Sequence, residues 1–115
     1  MPDTNLDALI VQGSNNPLVI EFEETLDFPA MVITLWNDAL PFRGHPLKRW
    51  TLDDVTIVED KVICPLTERE TAAFPETGVI LEVKGLDGNG YTVFWEQYPV
   101  KVEPRRDKQI RQVVT

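Results

Sequence analysis

Asp87-Gly88-Asn89-Gly90 is the stretch whose residue types come nearest to a cation-binding loop. A helix–loop–helix calcium site needs oxygen ligands at fixed offsets and a bidentate carboxylate at its twelfth position. Counted from Asp87, that position is Tyr98, and Gly90 leads straight into an apolar alternation. The stretch therefore reads as a chain reversal, because Gly and Asn accept positive φ. Asp53, Asp54, Glu59 and Asp60 make a second acidic group, but they flank a predicted hairpin at opposite ends. A strand separates its ends by about 3.3 Å per residue, so these carboxylates read as solvated turns.

Nucleophilic chemistry has little to draw on. Cys64 is the single cysteine and lies in the apolar run Val62-Ile63-Cys64, where a thiol behaves as a small buried hydrophobe. An activating base would have to be His45, the single histidine. Paired carboxylates for glycoside hydrolysis must straddle a cleft, and a chain of this size has little material to wall one. No glycine-rich phosphate cradle, nucleophile elbow or zinc spacing occurs. The sequence thus assigns no catalytic, metal-binding or cofactor-binding residue. Trp36, Trp50 and Trp95, with Tyr91 and Tyr98, are the remaining candidates, as rings for stacking on a sugar or for a subunit interface, although most tryptophans in a sandwich of this size fill the core or cover an edge.

Charge narrows the partners. The 115 residues carry 11 basic and 19 acidic side chains, a net charge of −8. Such a surface repels phosphate backbones and anionic membranes. The charge is uneven: Arg105, Arg106, Lys108 and Arg111 against Asp107 leave residues 104–115 at +3, so residues 1–103 carry −11. A basic tail on an acidic body suits docking on an identical neighbour or on another acidic subunit, and these four cations are the candidate partner interface. The acidic start, Met1-Pro2-Asp3-Thr4-Asn5, lacks the basic region of a signal peptide, and no apolar run is long enough to span a bilayer. One cysteine excludes an intrachain disulfide and fits synthesis in a reducing cytoplasm.

The elements that must position these residues are strands. Leu18, Ile20 and Phe22 alternate with polar neighbours, as a half-buried strand requires. Met31 to Trp36 is apolar on both faces and belongs in the middle of a sheet; Asn37 to Pro46 reads as the longest loop, and Leu47 to Leu52 as a strand. Val55 to Val58 and Val62 to Cys64, joined by Glu59-Asp60-Lys61, form the clearest hairpin. Thr67 and Glu70 have capping-box spacing, so one short helix is expected between Glu68 and Phe74, stopped by Pro75. Val79 to Val83 and Tyr91 to Glu96 are two further strands, and Val100 to Val102 after Pro99 a last short one. Leu6 to Val11 is either an edge strand or an arm reaching a neighbour, expected to order only in an assembly.

Together these predict an all-β, immunoglobulin-like antiparallel β-sandwich of seven to eight strands with one short helix. The domain plan is an N-terminal arm and loop over 1–17, the sandwich over 18–103 and a basic C-terminal tail over 104–115.

A family resemblance rests on Gln12-Gly13 leading to Pro17-Leu18-Val19-Ile20-Glu21-Phe22, on Met31-Val32-Ile33-Thr34-Leu35-Trp36, and on Leu47-Lys48-Arg49-Trp50. It continues through Cys64-Pro65-Leu66-Thr67-Glu68-Arg69-Glu70-Thr71 into Phe74-Pro75, Val79 to Val83, and Val100-Lys101-Val102. This set resembles small virion proteins encoded by phages and prophages of Gram-positive bacteria. It is also similar to the immunoglobulin-like N-terminal domain of phage baseplate upper proteins. The resemblance implies a non-enzymatic structural component of a virion, at the tail, baseplate or connector. Its partners would be other virion subunits and further copies of itself, with no nucleic acid, membrane or small-molecule ligand. The alternative is a carbohydrate-binding module using exposed Trp and Tyr. A small enzyme is the third and least supported reading.

Overall fold

A computed structural model describes residues 4–6 (backbone alone), 9–22, 28–38 and 45–104. Nine strands and one helix occur among them: β1 Thr4–Leu6, β2 Leu9–Val11, β3 Leu18–Phe22, β4 Ala30–Asn37, β5 His45–Thr51, β6 Thr56–Val58, β7 Lys61–Cys64, α1 Glu68–Ala72, β8 Val79–Leu86 and β9 Thr92–Glu103. They form two sheets, β1-β3-β7-β6 and β2-β9-β8-β4-β5. The chain changes sheet after β1 and after β2, and from β3 onward it crosses after β3, after β5 and after β7, the crossing pattern of an immunoglobulin-like sandwich.

Alternation decides what each strand buries. In β3, Leu18, Ile20 and Phe22 face inward while Val19 and Glu21 stay partly exposed. In β8, Val79, Leu81, Val83 and Gly85 face inward, and Ile80, Glu82, Lys84 and Leu86 face outward. Ile20, Val62 and Cys64 from one sheet meet Ile33, Leu35, Trp50, Leu81 and Val83 from the other to make the core. Trp50 is 1% exposed, and its indole N–H donates to the Pro65 carbonyl at 2.9 Å. Burying a large aromatic contributes several kcal/mol by apolar transfer, about 25 cal/mol per Å², and the hydrogen bond spares the indole N–H an unsatisfied burial. The end of the core nearest the β8–β9 hairpin is closed by aromatic rings: Phe94 lies 5.7 Å from Phe22 and 5.5 Å from Phe28. Gly85 makes room for them, because a Cβ there would sit 2.9 Å from the Phe28 ring.

The expected helix forms and is short. Thr67 caps it: its hydroxyl accepts from the Glu70 amide at 3.1 Å, and the Glu70 carboxylate accepts from the Thr67 amide at 3.0 Å. Lys48 on β5 reaches Glu70 at 2.6 Å and ties the helix to the second sheet. Desolvation pushes the Glu70 carboxyl up, but Lys48 and the Thr67 amide and hydroxyl outweigh it and hold the group below its ordinary value. The buried Thr71 hydroxyl donates to the Ser14 carbonyl at 2.7 Å, and the Gln12 side-chain amide donates to the Phe74 carbonyl at 2.8 Å. The helix corner is therefore fastened to the loop after β2.

One alternative is resolved and three expectations change. Of the two forms expected for the first segment, Leu9–Val11 is the edge strand and not the arm toward a neighbour: it pairs parallel with β9 over 101–103, and Ile10 is buried at 3%. Thr4–Leu6 pairs antiparallel with β3 in the opposite sheet, so the N-terminal segment serves both layers and raises the strand count to nine. One pairing in the sandwich is consequently parallel. Finally, β9 runs unbroken through Pro99. Proline lacks the N–H that an inner strand would donate, but β2 reaches only Lys101 to Glu103, so β9 is an edge at residue 99.

Candidate interaction surface

The outer face of the five-stranded sheet gathers the side chains with binding potential. Register places Trp36 on β4 beside Ile80 on β8, and Trp95 on β9 beside Lys84 on β8. Glu82 lies between these two levels on the central strand. Both indoles reach it diagonally, a span that aromatic side chains cover between neighbouring strands. The Trp95 N–H donates to Glu82 Oε2 at 2.9 Å, and the Trp36 N–H donates to Glu82 Oε1 at 3.3 Å. Lys84 Nζ stands 3.8 Å from Oε1. Desolvation raises the carboxyl pKa of Glu82, but the Trp95 and Trp36 donors, the Lys84 charge and the Gln97 amide together hold it below its ordinary value. One ionised carboxylate thus fixes two indoles, and Thr34 beneath them is only 4% exposed although it faces outward.

Two features flank this clamp. Along β9 and the turn before it, Tyr91, Val93 and Trp95 are 70%, 58% and 54% exposed, an apolar stripe on the solvent side. The turn is fixed by Asp87, whose carboxylate accepts from the amides of Asn89 and Tyr91, both at 2.9 Å, with Gly90 at φ 85°. On the other side, Trp36, Asp38, Ile80, Glu82 and Gln97 line an open depression of about 260 Å³. Ile80 and Gln97 come from β8 and β9, Trp36 from β4, and Asp38 follows β4, its amide donating to the Gly78 carbonyl at 2.7 Å.

The aromatic candidates therefore part company. Trp50 belongs to the core, Tyr98 packs against the core with its hydroxyl donating to Glu96, Trp36 is half-buried, and Trp95 and Tyr91 are exposed. Asp87 to Gly90 is a hairpin turn, as expected, and among the described residues no three His, Cys, Asp or Glu side chains gather to hold a metal ion. Asp54 instead caps a single 3-10 turn over Leu52–Asp54; its acceptance of the Thr51 amide and hydroxyl lowers its pKa. Cys64 is buried, and desolvation pushes its thiol up to about 12, which leaves no thiolate for nucleophilic work. Arg105, Arg106, Lys108 and Arg111 lie outside the described residues. No helix among the described residues is long and apolar enough to cross a membrane.

Glu82, Asp38 and Gln97 are the residues that sequence reasoning missed. Alternation within Val79 to Lys84 puts Glu82 on a solvent face, but only the pairing of β8 with β4 and β9 brings two tryptophans onto it. No protein-family model matches the chain, and no curated protein matches it in sequence.

Proposed function

We propose that this chain is a non-enzymatic structural subunit of a phage or prophage virion, at the tail, baseplate or connector, acting through protein–protein contacts. The observation that carries the reading is the exposed stripe Tyr91, Val93 and Trp95 on the outer sheet face. A contiguous exposed apolar patch on a small domain marks an interaction site, and aromatic residues are enriched in such interfaces. The sequence resemblance supplies the kind of assembly. Mass spectrometry of particles purified from an induced host tests it: the chain is expected at a fixed ratio to tail or capsid subunits. Absence from intact particles overturns the reading.

A second reading, a carbohydrate-binding module, draws on one specific observation. The Trp95 ring is half-exposed and held in place by Glu82, as a stacking platform for a sugar face would be. Titration with neutral oligosaccharides then quenches tryptophan fluorescence in the wild type and not in Trp95→Ala; no quenching in either removes this reading.

A further inference from the structure

The depression beside the Glu82 clamp has the parts that a cationic side chain needs. The Trp36 indole forms a wall on which a guanidinium or ammonium group can rest, an arrangement favoured by the ring's negative face. Ile80 offers apolar contact for the methylenes of a long basic side chain, which such residues lay along hydrophobic surface. Asp38 and Glu82 supply carboxylates and Gln97 an amide oxygen, all acceptors for N–H donors. Glu82 accepts the two indole N–H groups and the Gln97 amide, and a carboxylate has about four lone-pair sites, so one site is left for a further donor. Its depressed pKa keeps it charged at neutral pH. A metal ion fits poorly, since Trp36 and Ile80 are not ligands.

Charge on the rest of the chain says which partner brings the cation. Residues 1–103 carry −11 and residues 104–115 carry +3, with Arg105, Arg106, Lys108 and Arg111 spread over seven positions. Two acidic bodies repel each other, whereas the basic segment of one is drawn to the acidic face of another. Strand direction then limits how much of the chain's own segment can reach the depression. From Gln97, which lines the depression, β9 runs on to Glu103 and so carries the chain about 20 Å away at 3.3 Å per residue. Arg105 and Arg106, two and three residues after Glu103, reach back only about 10 Å, whereas Arg111, eight residues on, has the length to return, so within one chain part of the basic segment falls short. In a second copy no such limit applies.

We propose that the Trp36–Asp38–Ile80–Glu82–Gln97 depression is the receptor for the basic 104–115 segment of a second copy of this chain. This rests on the assembly reading above, and the two fail separately: the chain can be present in particles at fixed ratio while this contact is absent. Because the donor and acceptor patches differ, the contact is head-to-tail, so repeated copies close a ring or extend as a filament.

Sedimentation velocity of the full chain over a concentration series tests the proposal, with Asp38→Lys on the receptor side and Arg105→Glu/Arg106→Glu on the segment side. The wild type is expected to self-associate, weakening roughly tenfold between low and moderately high salt as exposed charges are screened. Each variant alone is expected to lose association, and an equimolar mixture of the two variants to regain it, since the unchanged basic segment of one meets the unchanged depression of the other. The chain carrying all three substitutions is expected to regain it, since the reversed charges match again. Asp38→Asn, a milder change, is expected to weaken association with the circular dichroism of the fold intact. In parallel, a synthetic peptide of residues 104–115 added to the full chain should shift the Trp36 indole N–H resonance and leave that of buried Trp50 in place. Association unaffected by Asp38→Lys, failure of the triple variant to recover, or a Trp36 shift independent of protein concentration in the absence of peptide (a contact within one chain) each overturn the proposal.

Discussion

Replacing Glu82 by glutamine tests whether one carboxylate organises the outer face. The side chain is 12% exposed and accepts one good hydrogen bond, from Trp95 at 2.9 Å, and one long one, from Trp36 at 3.3 Å. Hydrogen bonds to a charged acceptor contribute about 1.5–3 kcal/mol each, at the low end where, as at Trp95, the donor can rehydrate. Glutamine keeps one acceptor oxygen and turns an NH2 toward the other indole N–H. The net loss is therefore one charged hydrogen bond plus a donor–donor contact, about 2 kcal/mol, or roughly 6–10 °C in Tm for a domain of this size. Urea unfolding followed by far-ultraviolet circular dichroism reads this without relying on tryptophan emission. Two controls sharpen it. Combined with Trp95→Phe, the double variant should cost less than the two singles together, because both remove the same bond. The sign of the pH dependence is also fixed: the folded pKa of Glu82 is lowered, so its stabilisation is present above the ordinary value of 4.5 and disappears as pH falls through the folded value. The cost of Glu82→Gln must shrink on acidification. A cost below about 0.5 kcal/mol at neutral pH, strict additivity with Trp95→Phe, or a cost independent of pH would refute the clamp.

Gly85→Ala forces a Cβ to within 2.9 Å of the Phe28 ring, and overpacking of this kind costs about 1–3 kcal/mol; Phe28→Leu in the same chain should recover part of the lost Tm. Cys64, buried with its thiol at about 12, should resist an aromatic disulfide reagent in the native protein and react fully once denaturant unfolds the chain. Glu70→Gln should cost about 1 kcal/mol by weakening the helix cap and the Lys48 pair. Because the Glu70 pKa is lowered, that penalty is full above 4.5 and fades below it, which thermal melts at neutral and acid pH will show.

Local signals carried most of the architecture. The alternation in Leu18 to Phe22 and Val79 to Val83, the two-faced apolarity of Met31 to Trp36 and the Thr67–Glu70 spacing each name an element that the structure contains, because each depends on near neighbours in the chain. What escaped depends on pairing. His45 and Pro46 look like loop residues, yet β5 begins there because Asn37 and Trp36 on β4 pair with them. Pro99 looks like a strand end, yet it is tolerated because β2 stops short of it. Leu9 to Val11 is too short to declare its partner, and only parallel pairing with Lys101 to Glu103 settles it as part of the sheet. The candidate surface was the least legible part. Trp36, Glu82 and Trp95 lie on three different strands, and no spacing along the chain announces that one carboxylate receives both indoles.

The parallel pairing of β2 with β9 has a mechanical consequence. Tension applied to the N-terminal end of β2 and the C-terminal end of β9 pulls on opposite ends of two strands that run the same way. Their hydrogen bonds, extended by the Gln12 amide donating to the Glu103 carbonyl at 2.8 Å, are then loaded in shear and share the force. An antiparallel hairpin pulled at its open end would instead surrender its bonds one after another. Buried Ile10, with Gln12 and Ser14 bonded to the helix corner, anchors the strand against sliding. The short N-terminal segment thus acts as a latch that resists force along the chain, a property useful to any subunit that must transmit tension between neighbours.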